Sequence, residues 1–183
     1  MSAAVAVQTQ WGIHIIDEIT IYGSNTDELV DEVTRRYPGK RIVAFPDPAG
    51  AQRKTSAGGR TDITILQNAG FQVKYRNSHP AVRDRINSVN SLLLNANGQR
   101  RLLVDPKCRR VIECLEKQVY KEATQIPDKD QGFDHMNDAL RYMVDFLFPI
   151  RQPATVNPNQ MWGHSVKPSG RESIHRTFAI PLN

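Results

Sequence analysis

The strongest constraint on the fold is the order in which two periodicities follow one another. Short apolar runs of strand length, Arg41–Phe45 (RIVAF), Gln72–Tyr75 and Arg101–Val104, alternate with longer segments whose apolar residues recur every three or four positions. Ahead of them, Ala3–Val7 and Ile13–Ile21 flank a tight turn at Gln10–Gly12 and read as a hairpin. A hairpin followed by alternating helices and strands gives an α/β fold, with a mixed sheet that is partly antiparallel and partly parallel. Asn25 and Glu28 form a capping box for a helix carrying Leu29, Val30, Val33 and Tyr37, closed by Pro38-Gly39. Thr61 caps a second helix through Ile63, Leu66 and Ala69, stopped at Gly70. Three longer helices follow: Ala81–Ala96 on Val82, Ile86, Val89 and Leu93; Lys107–Lys121 on Val111, Ile112, Leu115 and Val119; and Asp134–Phe148.

These elements occupy residues 1–150, one domain of ordinary size. From Pro149 onward five prolines interrupt a polar stretch without periodicity, so 151–183 reads as a loosely packed or disordered basic tail carrying Arg151, Lys167, Arg171 and Arg176. No apolar run approaches the roughly 18 to 20 residues that cross a bilayer, and the N-terminus lacks the basic and apolar regions of a secretion signal. The chain is therefore expected to be soluble and intracellular. Cys108 and Cys114 are the only cysteines and fall on different faces of one helix, so neither a bridge nor a zinc site is expected. There is no GxxxxGK[ST] or GxGxxG loop, which excludes a complete P-loop ATPase and a Rossmann dehydrogenase. The net charge of +5, from 24 basic and 19 acidic side chains, is compatible with a polyanionic partner.

Two places carry metal-type chemistry. Asp47 sits between Pro46 and Pro48 at the C-terminal end of the RIVAF strand, where open α/β sheets place their ligands. The prolines restrict the backbone and so aim the carboxylate, although Pro-Asp-Pro is also ordinary turn chemistry. On the last helix Asp134, His135 and Asp138 share a face, opposite Ala139, Leu140, Met143 and Leu147. Asp145 lies on nearly the same line as Asp138. Asp134 has an ordinary role as helix N-cap, whereas Asp138 and His135 lie deeper in the helix. Carboxylates converging from separate elements are what Mg²⁺ requires, and two such ions about 4 Å apart activate water against a phosphodiester.

The segments FPDPAGAQRKTSAGGRTD (45–62), VRDRINSVNSLLLNANGQRRLLVDPKC (82–108) and DHMNDALRYMVDF (134–146) together resemble the nuclease domain of tailed-phage large terminase subunits. The resemblance implies an RNase H-like fold and a two-metal endonuclease that cuts concatemeric double-stranded DNA during genome packaging. Implied cofactors are two divalent cations, Mg²⁺ or Mn²⁺. Asp47 matches the family's second acidic position and Asp138 its third, with His135 as the accompanying histidine and Asp134 as an outer metal participant. The two main carboxylates are thus expected to approach closely enough to share an ion. Implied partners are the portal protein, the small terminase subunit and the ATPase domain of the large subunit. The implied compartment is the cytoplasm of the infected bacterial host, with no membrane association.

The resemblance also places Met1 after the family's first acidic strand, so that strand, its carboxylate and the ATPase motor are expected to be absent from this sequence. Asp17 and Glu18, on the neighbouring strand, are poor replacements. An RNase H-like sheet without its central first strand is expected to carry two unpaired edges. A non-catalytic DNA-binding or portal-docking fragment is the alternative, and another RNase H-like nuclease such as a junction resolvase a third. For DNA, Arg53, Lys54 and Arg60 follow Asp47 in one polar loop, and Lys107, Arg109 and Arg110 form a second cluster near Arg100 and Arg101. Such side chains hold phosphates without reading sequence. A solvated helix face is the ordinary explanation of the second cluster.

Overall fold

A computed structural model describes residues 1–52, 59–124 and 126–150. The expected tail, 151–183, and the loop residues Arg53 and Lys54 lie outside the described residues.

The hairpin forms as its alternation requires. β1 (Ser2–Gln8) runs antiparallel to β2 (Ile13–Thr20), with a register shift between Val5 and Ala6. Gly12 in the turn is fixed by close approach: a Cβ there would overlap the Arg101 carbonyl oxygen. β2 pairs parallel with β5 (Leu102–Val104) on its other side. The sheet order is therefore β1-β2-β5. A second sheet holds only β3 (Val43–Ala44) and β4 (Gln72–Val73), in parallel. Among the described residues no strand pairing joins the two sheets, and β1 and β3 each keep an unpaired edge.

Among the described residues, five α-helices pack around these strands. α1 (Thr26–Arg36) begins with the expected Asn25–Glu28 capping box, both halves formed. α2 (Asp62–Asn68) is capped by the Thr61 side chain on the Thr64 N–H. Gly70, at φ +82°, ends the run where a side chain would be strained. α3 (Val82–Leu93) and α4 (Arg109–Lys117) both pack on α5 (Asp134–Leu147). The core is Ile13 and Ile15 of β2, Leu102 of β5, and the facing sides of α3, α4 and α5. Ile15, fully buried, contributes about 1.5 to 3 kcal/mol of transfer free energy. Cys108 and Cys114 are buried free thiols within this core.

α5 is the element on which both sheets rest. β1 packs directly on it, and Phe45, just after β3, meets Phe146 at 5.5 Å between ring centroids. Arg76, just after β4, closes the other side: its Nε donates to the Asp145 carboxylate at 2.7 Å and its Nη2 to the Asp145 carbonyl at 2.8 Å. Asp145 is thus a buried structural acid.

Several expectations need correction. The RIVAF segment is not a buried strand. Only Val43–Ala44 pairs, and Val43 is 36% exposed because nothing described covers the outer edge of β3. α4 ends at Lys117 instead of Lys121. Gln118 turns to extended backbone, its amide donates to the Asp128 carbonyl, and Tyr120 bridges Pro127, which leaves Val119 exposed. On α3 the buried face includes Arg85, Ser88 and Leu92, while Val82 is 40% exposed.

Candidate functional site

Asp47 caps a single 3-10 turn, Pro48–Ala51. Its carboxylate accepts from the Ala49 N–H at 2.8 Å, and its own carbonyl accepts from the Gly50 N–H. Proline on each side and this local bond fix its direction. The side chain remains 47% exposed, and His79 Nδ1 lies 3.6 Å from Oδ1. Asp138 projects from the second turn of α5 with 29% of its side chain exposed. Its Oδ1 accepts from Arg85 Nη1 at 3.2 Å and lies 3.5 Å from Arg141 Nη1.

Tyr142 lies one turn beyond Asp138 on α5. Its phenol interacts with the Asp47 carboxylate, and the Arg85 guanidinium lies over its ring, 4.5 Å from the centroid. The structure thus links Asp47, Tyr142, Arg85 and Asp138 in a continuous chain of contacts. Burial raises the Tyr142 pKa first, and the nearby Asp47 carboxylate adds to the effect, so the phenol stays a proton donor. Arg141 is buried too; desolvation lowers its pKa, while the attraction of Asp138 opposes the change.

Of the residues singled out in the sequence, Asp47 and Asp138 are connected indirectly, through Tyr142 and Arg85. His135 is not: its side chain is 78% exposed and its nearest acid is Asp134, at 3.9 Å. The histidine beside Asp47 is His79. Asp134 is buried as the first residue of α5, with Oδ2 at 3.8 Å from Lys129 and Oδ1 without a hydrogen-bond partner; the N-cap position is Phe133. Among the described residues no three His, Cys, Asp or Glu side chains form a group able to hold a metal ion. Asp17 and Glu18 have structural roles: Asp17 accepts from the Tyr37 hydroxyl and Arg36, and Glu18 accepts from the backbone N–H groups of Arg110 and Val111.

The basic residues divide likewise. Arg60 forks onto Asp27 at 3.3 Å through both terminal nitrogens, on the surface. Arg110 is committed to Glu113, the Gly132 carbonyl and the Phe133 ring. Arg101 donates to the Trp11 carbonyl and lies over Phe148. Lys107 and Arg109 are exposed at the start of α4.

His79, Arg85, Arg141 and Tyr142 are site residues that the sequence analysis did not identify. Arg85 carried a usable signal, because it lies three residues after Val82 and four before Val89, on the apolar face of its helix. A cation at a core position needs a partner. Arg141 and Tyr142 stand at offsets of three and four from Asp138.

A divalent ion can be tested against this donor set. Mg²⁺ is usually held by one or two carboxylates together with water and substrate phosphates. Asp47 and Asp138 are hard oxygen donors from separate elements, both partly exposed, and Asp138 is already paired with Arg85 and Arg141. No helix among the described residues is long and apolar enough to cross a membrane.

No curated protein matches the chain by sequence. Among solved structures, the large terminase of a thermophilic bacteriophage, in complex with ADP, is similar in fold, with a TM-score of 0.57 at 17% identity. The match covers 79% of this chain and 35% of that one, so the chain spans about a third of the terminase it resembles. The family model described as the Terminase RNaseH-like domain matches residues 23–145. That segment is more than half the chain and contains Asp47, Asp138 and the residues that join them. The chain therefore belongs to the terminase RNase H-like domain family.

Proposed function

We propose that the chain is the endonuclease domain of a phage large terminase, hydrolysing double-stranded DNA during genome packaging with Mg²⁺ or Mn²⁺. The observation that supports this reading is the path of contacts from Asp47 through Tyr142 and Arg85 to Asp138, within a terminase family match. Asp47 and Asp138 would hold the first ion, and a second ion of a two-ion pair would rely on phosphate oxygens and on donors outside the described residues. Bound metal supplies an activated water and charge stabilisation at the leaving oxygen. Tyr142, which interacts with Asp47, stays protonated through the neutral range. His79 stands where it can exchange a proton with water near Asp47. The loop after Asp47, with Arg53, Lys54 and Arg60, and the exposed Lys107 and Arg109 are the proposed phosphate contacts. The portal, the small subunit and the ATPase domain are the proposed protein partners, in the cytoplasm of the infected host.

The test is cleavage of supercoiled plasmid with Mg²⁺ or Mn²⁺, alongside Asp47→Asn and Asp138→Asn. Metal-dependent nicking lost in both variants supports the reading. One observation favours a second reading, a DNA-binding module without cleavage: no third acid joins Asp47 and Asp138 among the described residues. That reading predicts a salt-dependent duplex complex, weakened by Arg53→Ala with Lys54→Ala, and no nicking with either metal.

A further inference from the structure

A sheet with one wet face alternates apolar inward and polar outward residues. The β1-β2-β5 sheet breaks that rule at one end. Ile13, Ile15 and Leu102 face the core, with Ala4 and Ala6 packed against it, so the residues between them face the other way. The register sets Val7 opposite His14 and His14 opposite Leu103, one row across all three strands. Val7 is 49% and Leu103 55% exposed. Farther along the same strands, Asp17 stands opposite Val5 and receives the Tyr37 hydroxyl and Arg36 from the end of α1, while the row itself stays open. Just beyond the row, the hairpin turn carries Trp11, 74% exposed. Its backbone is fixed: the Trp11 and Gly12 N–H groups donate to the Thr9 hydroxyl, and the Trp11 carbonyl accepts from Arg101 Nε at 2.7 Å. A large ring is thus offered on a rigid mount, which lowers the entropy cost of covering it. Contiguous exposed apolar residues rimmed by polar ones mark interaction sites, and Trp and Arg carry much of the energy at interfaces. Charge indicates the kind of partner. Residues 1–16 and 89–104, which form this end, contain no Asp or Glu, and the second segment carries Arg100 and Arg101, the former exposed. The flanking acids are engaged, Asp17 by α1 and Asp105 by the Lys107 N–H.

We propose that the row of Val7, His14 and Leu103, with Trp11, Arg100 and Arg101 beside it, is a docking surface for an acidic protein segment that carries an apolar anchor. The anchor lies on the aliphatic row and against the indole, and its flanking carboxylates meet the guanidiniums. The surface is a few side chains, well short of the roughly 800 Å² per partner of a standard interface, so docking is weak and reversible. A second copy of the chain repeats the same positive charge and is the poorer occupant. Unpaired nucleic acid needs further ring faces for stacking, and Val7 and Leu103 supply none. The row faces away from α5, which carries Asp138, and the proposal does not depend on the nuclease reading.

The experiment is titration of the isotope-labelled full chain with the capped peptide Glu-Glu-Leu-Phe-Leu-Glu-Glu, followed by amide and indole chemical shifts. The Trp11 indole and the Leu103 amide are expected to shift saturably, with affinity falling as salt rises. The same peptide with Lys for every Glu leaves them in place. Trp11→Ala and Leu103→Ser each weaken binding by about fivefold or more, and Arg100→Glu weakens it at least as much. All three side chains are exposed, so the melting temperature is expected to hold, and a variant that melts early is set aside for the other two. No saturable shift with the glutamate peptide overturns the proposal. So do equal binding of the lysine peptide, shifts confined to other residues, or folded variants that bind like the wild type. Saturable shifts at Trp11 with short oligothymidylate but not with the peptide assign the surface to nucleic acid and overturn it too. Shifts at the row that grow with protein concentration alone assign it to a second copy, with the same consequence.

Discussion

Replacing Glu18 separates a structural acid from a metal ligand. Glu18 reaches from β2 to the start of α4, where Oε1 accepts from the Arg110 N–H at 3.0 Å and Oε2 from the Val111 N–H at 2.7 Å. α4 has no cap of its own, since Cys108 at its N-cap makes no side-chain hydrogen bond. One carboxylate therefore satisfies two of the helix's unpaired donors and complements its dipole. Losing an N-cap costs about 0.5 to 2 kcal/mol, and a hydrogen bond to a charged group contributes about 1.5 to 3 kcal/mol. Water reaches the half-buried site and recovers part of this, so Glu18→Ala is expected to cost about 2 to 3 kcal/mol. At roughly 2 to 4 °C per kcal/mol, the melting temperature falls by about 4 to 12 °C. Glu18→Gln keeps one acceptor without the charge and falls between. Circular-dichroism melts measure the shift, and Mn²⁺ binding below the melting range is unchanged in both variants. A Glu18→Ala melt within about 1 °C of wild type, below any effect expected from a lost cap, would refute the assignment. Lost metal binding at an unaltered Tm would refute it too.

Other consequences follow from the same structure. Gly12→Ala forces a methyl group into the Arg101 carbonyl, which also accepts from the Ile13 N–H at 2.8 Å; overpacking plus a weakened strand bond predicts a loss of about 2 to 4 kcal/mol by urea denaturation. Burial acts to raise the Asp17 pKa, but the Tyr37 and Arg36 hydrogen bonds outweigh it and leave it lowered, so its contribution is complete above about pH 4 and lost as pH falls through the depressed value; Asp17→Asn flattens that acid limb. Tyr37 is pushed up to about 12 by burial and by Asp17, so its contribution holds to about pH 10 and fades between there and about pH 12, a decline that Tyr37→Phe removes.

Local signals in the sequence specified local structure well. The hairpin, the Asn25–Glu28 box, the Thr61 cap and α5 depend on neighbours within a few residues. Elements set by distant contacts were less legible. RIVAF has the composition of a buried strand, yet burial depends on what lies at each edge, and β3 pairs on one side only. The periodicity of α4 continues past Lys117, but the Gln118–Asp128 contact and the Tyr120–Pro127 bridge end the helix first. Asp47 and Asp138 stood out in the sequence because each sits in a motif with its own local signature. His79 and Arg85 were not, because their roles arise from the packing of the segments after β4 and of α3 against α5. His135 shares a helix with Asp138 but points to solvent, since one helix face cannot be sorted into inward and outward rims without its neighbours.

The central claim, one divalent ion shared by Asp47 and Asp138, is tested most directly by anomalous diffraction from crystals of the chain grown with DNA and Mn²⁺. The account predicts a manganese peak within about 2.5 Å of a carboxylate oxygen of both residues. A peak coordinated by other side chains, or occupied Mn²⁺ in contact with only one of the two acids, would contradict it.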